Sequence, residues 1–305
     1  MVKSDGVKAS TADIKNKHKR EDIYHKQKAD KAKAKRERRQ QLKKEEEKNP
    51  ELKETRLKQN VPKTIDNTRE QEDTFVEDDE EVAQEEAMDE FAQYFSGKTP
   101  KILITTSKKA TPACYDFCAE LLSIFPNTQF VKRGVKHEMR KIIEFAKNRE
   151  FTDMMIVNED HKTPNAVTLV HLPDGPTAYF KLTSITPADK ISGHGRPTAH
   201  QPEIILNNFN TRLGHTVGRM FSALFPQLPE FEGRQVVTFH NQRDFIFVRR
   251  HRYIFKDTER AGLQELGPKF TLKLKWLQKG TYDRNGEYEW MFKQDMETSR
   301  RKFFL

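Results

Sequence analysis

The chain has 305 residues, a third of them charged, and a net charge of +9. No apolar run approaches the roughly 18–20 residues needed to span a bilayer. The opening MVKSDGVKAS lacks the apolar stretch of a signal peptide, so an intracellular protein with no membrane partner is expected.

The charge falls into three blocks. Residues 1–60 carry 20 Lys/Arg against 11 Asp/Glu, residues 61–95 carry 2 against 13, and residues 96–305 carry 33 against 22. Basic flanks of this kind point to nucleic acid or another acidic surface. Residues 1–60 have almost no apolar periodicity and read as a charged, largely disordered tail, helix-prone over Lys31–Arg39. That run and Lys17–Arg20 also fit nuclear-localisation signals. Residues 61–90 are acidic, with few core formers and the run Asp78–Glu81, and read as a disordered linker, a protein-binding tail or a screen for the basic parts. Ordered packing is expected to begin at Phe91, Tyr94 and Phe95. Gly97-Lys98-Thr99 ends like a phosphate-binding loop, but Ala92 stands where the first glycine belongs and a strand follows instead of a helix.

The ordered part contains a repeat. Lys101–Ile104 is a short strand, Thr111-Pro112 supplies an N-cap and an N1 proline, and Cys114, Cys118, Leu121, Leu122 and Phe125 follow at helical spacing. Glu203–Leu206 is again a strand, and Leu213, Val217, Met220, Phe221 and Leu224 repeat the spacing with a constant shift of 99 residues. β-type runs continue each copy: Asp153–Val157, Ala166–Leu172 and Thr177–Thr183 in the first, Gln235–His240, Asp244–Phe255 and Lys269–Leu277 in the second. Each half reads strand–helix–strand–strand–strand, and two halves this small are expected to share one core. The copies differ in one element. His137–Asn148 is an extra helix in the first, where the second has only the link 228–233. Ser192–Pro197 connects the halves, and Glu287–Phe304 reads as a helix or an extended tail.

Few constellations suit chemistry. Cys114 and Cys118 stand four apart with no second Cys/His pair, too few ligands for zinc, and are expected to be buried packing; no metal and no cofactor is expected. Asp153, Glu159, Asp160 and His161 are more simply a strand end and turn than a metal cluster. His194 and His200 flank Arg196 without a nucleophile motif, so a polar loop contacting RNA or a partner chain is the simpler expectation than a hydrolase.

The densest signal runs from Phe231 to Lys256, two β-type runs around a turn, with Arg243, Arg249, Arg250, His251, Arg252 and Lys256. Its aromatics are mostly core, and Tyr253 is the stacking candidate. In Lys269–Trp276 the alternation is strict: Phe270, Leu272, Leu274 and Trp276 share one face, and Lys269, Thr271, Lys273 and Lys275 the other. Two adjacent basic strands make a surface for phosphates, and with no helix-turn-helix, zinc finger or zipper in view, RNA is favoured over duplex DNA.

These segments carry a family resemblance. KILITTSKKAT, ISGHGRPTAHQPEIILNNFNTRLGH, PEFEGRQVVTFHNQRDFIFVRRHRYIF and GPKFTLKL resemble the Brix-domain family of ribosome assembly factors, with the 231–255 segment as its sigma-like motif. The resemblance implies an α/β fold of two pseudo-repeated halves, each like the anticodon-binding domain of some tRNA synthetases. The expected layout is a disordered charged extension over 1–97 (basic 1–60, acidic 61–95), a Brix domain over 98–281 (halves about 98–190 and 200–281) and a tail or helix over 282–305. It also implies a non-catalytic scaffold for large-subunit (60S) assembly in the nucleolus. Its expected partners are pre-rRNA, other assembly factors and ribosomal proteins; the alternative is a module whose basic surface takes an acidic protein. The expected RNA contacts are Arg243, Arg249, Arg250, His251, Arg252, Tyr253, Lys256, Arg260, Lys269, Thr271, Lys273 and Lys275. Secondary RNA or partner contacts are His194, Arg196, Arg300, Arg301 and Lys302.

Overall fold

A computed structural model of the chain describes residues 15–70, 74–76, 80–95, 97–228, 232–257 and 260–305. Phe231, Asp78, Asp79 and Glu259 lie outside the described residues. The chain divides into two units, 1–67 and 68–305. In the first, α1 (Lys17–Lys48) is a 32-residue helix without a buried residue, followed by α2 (Pro50–Gln59). The expected disordered tail is helical here because Ala, Lys, Glu, Arg and Gln are strong helix formers even without a core. Asn16 caps α1 by accepting from His18 and Lys19 N–H, and Lys43–Glu47 is an i,i+4 pair. Among the described residues no helix is long and apolar enough to cross a membrane.

The second unit begins with α3 (Glu80–Met88) and α4 (Ala92–Phe95). Their stretch was expected to be linker up to residue 90, yet Val82 is buried; Phe91 and Tyr94, where packing was expected to begin, are buried as well. Phe91 and Tyr94 close over His171, with ring centroids 4.6 and 5.2 Å away. His171 Nδ1 in turn meets Asp153 Oδ1 at 2.8 Å. The acidic side chains meet cations of a later helix. Asp89 takes both a 2.5 Å and a 2.7 Å bond from Arg219, and Glu86 Oε1 lies 2.7 Å from His215. The described acidic residues Glu86 and Asp89 therefore neutralise that helix.

The repeat is realised as one sheet. The first half is β1 (Ile102–Thr106), α5 (Pro112–Ile124), β2 (Thr128–Phe130), α6 (Met139–Asn148), β3 (Asp153–Asp160), β4 (Thr163–His171) and β5 (Thr177–Thr186). The second is β6 (Glu203–Asn207), α7 (Arg212–Ser222), β7 (Gln235–Gln242), β8 (Phe245–Phe255), β9 (Ala261–Glu265) and β10 (Lys269–Gln278), with β11 (Tyr288–Met291) beyond it. The strand order is β2-β1-β3-β4-β5-β10-β8-β7-β6, with β9 beside β8 and β11 beside β10. Read outward from the middle, 5-4-3-1 on one side mirrors 10-8-7-6 on the other, so β5 and β10 are equivalent strands. They pair antiparallel, as a two-fold relation requires, with Leu182 opposite Leu272 and Lys181 opposite Lys273.

α5 and α7 lie on one face over a single core that both halves fill. Phe125 and Phe225, each followed by a proline, meet at 5.4 Å across the seam. Cys114 and Cys118 are buried in that core. Phe117 and Ile124 are buried too, whereas Leu122 is half-exposed. Thr111 stands at the N-cap of α5 but gives its hydroxyl to Glu159 Oε2 at 2.9 Å, while Thr211 caps α7 through Gly214 N–H.

On the opposite face α6 covers β1, β3 and β4 through Ile143, Ala146, Leu103, Met154 and Ile156. The second half has no helix in the equivalent place among the described residues. Among the described residues of the second unit, no helix covers that face beyond β4, over β5, β10, β8 and β7. The residues after β11 are extended, with one 3-10 turn, in place of a helix. They run back to bury Leu305 in the shared core, where Asp244 Oδ1 accepts from Phe304 and Leu305 N–H at 2.8 and 3.0 Å.

Candidate nucleic-acid interface

Strand alternation sorts the cations of β8. Ile246 and Val248 belong to the helix-covered core, so Phe245, Phe247, Arg249 and His251 point to the open face and Arg250 points inward. Arg250 is only 2% exposed. It donates to Gln235 Oε1 at 2.7 Å and to Ser123 Oγ of α5 at 3.2 Å, and burial lowers its pKa. The expectation that Arg250 contacts RNA is thus corrected: it ties the second half to the helix of the first. Arg252 shares its parity and donates to Arg196 O at 3.0 Å.

β10 departs from strict alternation. Its pairing with β5 shifts register between Leu274 and Trp276, a bulge at Lys275. Leu277 re-enters the core and Trp276 swings to the open face, correcting its expected place beside Leu274. There it stacks on Tyr179 at 5.3 Å and 6°, with Tyr288 edge-on at 5.5 Å. The lysine row survives in altered form. Lys181 and Lys273 are direct cross-strand partners, like charges that disfavour such pairing. Lys275 is held below its ordinary pKa, first by burial and then by Lys273 and Lys181, against Glu297. Thr271 is buried between Thr183 and Phe247 and offers little surface. Lys269 Nζ lies 3.8 Å from Glu265, and His251 has its pKa lowered by burial, which disfavours its charged form.

The chain's own tail reaches this surface. Glu297 Oε1 lies 3.3 Å from Lys273 Nζ, and the Phe292 ring lies 4.2 Å from Lys275 Nζ and 4.8 Å from Lys273 Nζ. Phe245, at 5.0 Å, faces the same ammonium group.

The remaining expected residues lie at the two ends of β8. Arg243 occupies the two-residue turn before it, where φ is +56° at Arg243 and +62° at Asp244, the conformation a tight hairpin needs. Because Asp244 holds Phe304 and Leu305, the exposed Arg300 and Arg301 and the half-exposed Lys302 belong to this end. At the other end stand Tyr253, Lys256 and Arg260, on the hairpin to β9, a strand that lies inside the link expected between the two basic strands. Lys256 is ten residues past the Ile246–Leu272 pair, roughly 33 Å along the strand. Tyr253 gives its hydroxyl to Glu203 Oε1 at 3.0 Å and sets its ring against Phe255 at 5.3 Å. His194 Nδ1 meets Ile191 O at 3.0 Å and His200 Nδ1 meets Thr198 Oγ1 at 3.1 Å, neither a catalytic pairing. Among the described residues no group of three His, Cys, Asp or Glu could hold a metal ion.

The open-face group is therefore Arg249, four residues along β8 from the Phe245 that faces Lys273, and Lys273 and Lys275 with Lys181 and the Tyr179–Trp276 stack. The last three were not expected there. The signal for Lys181 was present: it is the one lysine of Thr177–Thr183, the strand equivalent to Lys269–Leu277.

The Brix domain family matches residues 107–276, which include every member of that group. The chain belongs to the Brix-domain family. A Saccharomyces cerevisiae relative named Ribosome production factor 1 is 50% identical over 295 residues, covering 96% of this chain and 97% of that one. A Mus musculus relative of the same name is 51% identical over 302 residues, covering 97% and 85%. A solved structure, described as a probable ribosomal biogenesis protein from Aeropyrum pernix K1, aligns with a TM-score of 0.44 and 16% identity, covering 64% of this chain and 99% of that one. Both relatives extend the Brix-domain similarity well outside residues 107–276, into the charged extension and the tail.

Proposed function

We propose that this Brix-domain chain is a non-catalytic factor in ribosome production that holds pre-rRNA of the large (60S) subunit on the open sheet face. The names of its relatives support the role in ribosome production. The observation that carries the RNA contact is the cation group on the strands of that face: Lys181 opposite Lys273 beside Lys275, with Arg249 on the same face farther along β8. A fold keeps like charges face to face at a cost, and a phosphate backbone removes that cost. Tyr179 and Trp276 beside them offer aromatic planes for unpaired bases. The role places the protein in the nucleus and nucleolus, with assembly factors and ribosomal proteins as neighbours, and the basic runs of α1 fit nuclear import.

One observation favours a second reading, in which the same surface takes an acidic protein segment: Glu297 and Phe292 of the tail already lie on Lys273 and Lys275. Charge reversal at Lys181, Arg249, Lys273 and Lys275 together separates the two. For single-stranded RNA we expect affinity to fall about 10–100-fold and the salt dependence to flatten by roughly 3 in slope. Unchanged RNA affinity in moderate salt would remove the RNA reading, and capture of assembly factors from nuclease-treated extract, lost in the same variant, would favour the protein one.

A further inference from the structure

A separate cleft lies where the first half's sheet edge meets the segment after β10. Strands β2, β1 and β3 of that edge are parallel. The chain steps from β1 to β2 in one direction across the sheet and from β2 to β3 in the other. Parallel crossovers are right-handed, so the two steps put α5 and α6 on opposite faces. The connections leaving β1 and β2 diverge, and a crevice opens at the carboxyl ends of the strands. Open α/β sheets bind ligands at such a switch point.

The crevice has a volume of about 580 Å³, within the range of small-ligand sites. Four cations from four segments line it: Lys108 after β1, Arg133 after β2, Arg140 on α6 and Arg284 after β10. Tyr282 and Asn158 line it too. Two acids also line it. Asp283 is bonded to Arg140 at 2.5 Å, and Glu138 is exposed at the N-cap of α6. Arg133 is the informative member. Its guanidinium donates to His137 O at 3.3 Å, and its Nε is buried without a hydrogen-bond partner, a costly state for a donor. Burial also lowers the pKa of its guanidinium. Tyr282 lies 6.3 Å from Trp276, so the cleft leads into the aromatic stack of the open face.

We propose that this cleft binds a nucleotide, its phosphate on Arg133, Lys108 and Arg284 and its base against Tyr282, supplied by an unpaired residue of the RNA strand on the open face. The proposal rests on the RNA reading above. It extends RNA contact from the open face to the carboxyl ends of β1 and β2.

The test uses the full chain, a labelled 12-nucleotide single-stranded RNA, and uridine monophosphate followed by tryptophan fluorescence. Lys108→Glu with Arg284→Glu changes two exposed residues and should leave the melting temperature in place while weakening RNA binding about 5–20-fold and flattening the salt slope by roughly 1.4. Arg133→Gln should weaken it comparably. Arg133→Lys keeps the charge but lacks Nε, and should recover only part of the loss. If these variants bind RNA as the unaltered chain does while Arg249→Glu with Lys273→Glu does not, the cleft proposal is overturned and the open-face reading stands. If the unaltered chain binds no RNA, the open-face reading fails. Binding of uridine monophosphate that the Lys108/Arg284 variant abolishes then supports the cleft as a site for a free nucleotide, and its absence overturns the cleft as well.

Discussion

Arg250→Ala is expected to cost about 3 kcal/mol of folding stability and to leave the RNA affinity of the folded protein within about two-fold. Arg249→Glu, one residue away, is expected to do the reverse. The asymmetry follows from the strand's period of two. Arg250 lies among buried residues, with its guanidinium on Gln235 and Ser123. Truncation removes a packed alkyl stem and strands the Gln235 oxygen, and a buried acceptor left without its donor costs about 1–3 kcal/mol by itself. Arg250→Met keeps most of the stem and should cost less, about 1–2 kcal/mol. Arg249 is half-exposed and contributes charge to the open face. Urea unfolding with a salt-dependent RNA titration separates the two effects. Loss of RNA affinity in folded Arg250→Ala without loss of stability would contradict the assignment.

Phe239→Ala is expected to cost about 3–5 kcal/mol and to lower the melting of both halves together. Phe239 is on the second half's β7, stacked on Phe221 at 4.5 Å and near Phe225 at 6.3 Å. Phe225 touches Phe125 of the first half, and Phe221 touches Phe180 of the first half's β5 at 5.3 Å. A cavity at Phe239 therefore opens in a core that neither half owns. Unfolding followed by a probe in each half should show one transition, shifted equally. Two separated transitions would show that the halves fold independently, against the shared core.

The repeat was legible because helical spacing and short apolar strands are local properties. The 99-residue shift matched α5 to α7, and the order of the β-type runs around them matched the strands that became β1, β3, β4, β5 to β6, β7, β8, β10. The same pattern flagged α6 as an extra element, and its lack of a counterpart is what bares the open face. What was not legible depended on pairing. Period-two alternation separates Arg249 from Arg250 as readily as it separates Lys273 from Leu274, but which β8 face is buried follows from α5, 127 residues earlier at Ser123. The bulge at Lys275 leaves no mark in composition, so Trp276 read as core. Lys181 looked isolated until β5 and β10 became neighbours. The acidic stretch read as linker because the residues that hold it, His171, His215 and Arg219, are 80 to 130 positions away from Phe91, Glu86 and Asp89.

The most direct measurement is photo-crosslinking of the full chain to single-stranded RNA with the joined residues identified. Crosslinks are expected on the open face, at Tyr179, Trp276 and Phe247 and at peptides containing Lys181, Arg249 or Lys273. Crosslinks confined to residues 15–67 or to the helix-covered face, with none on these strands, would contradict it.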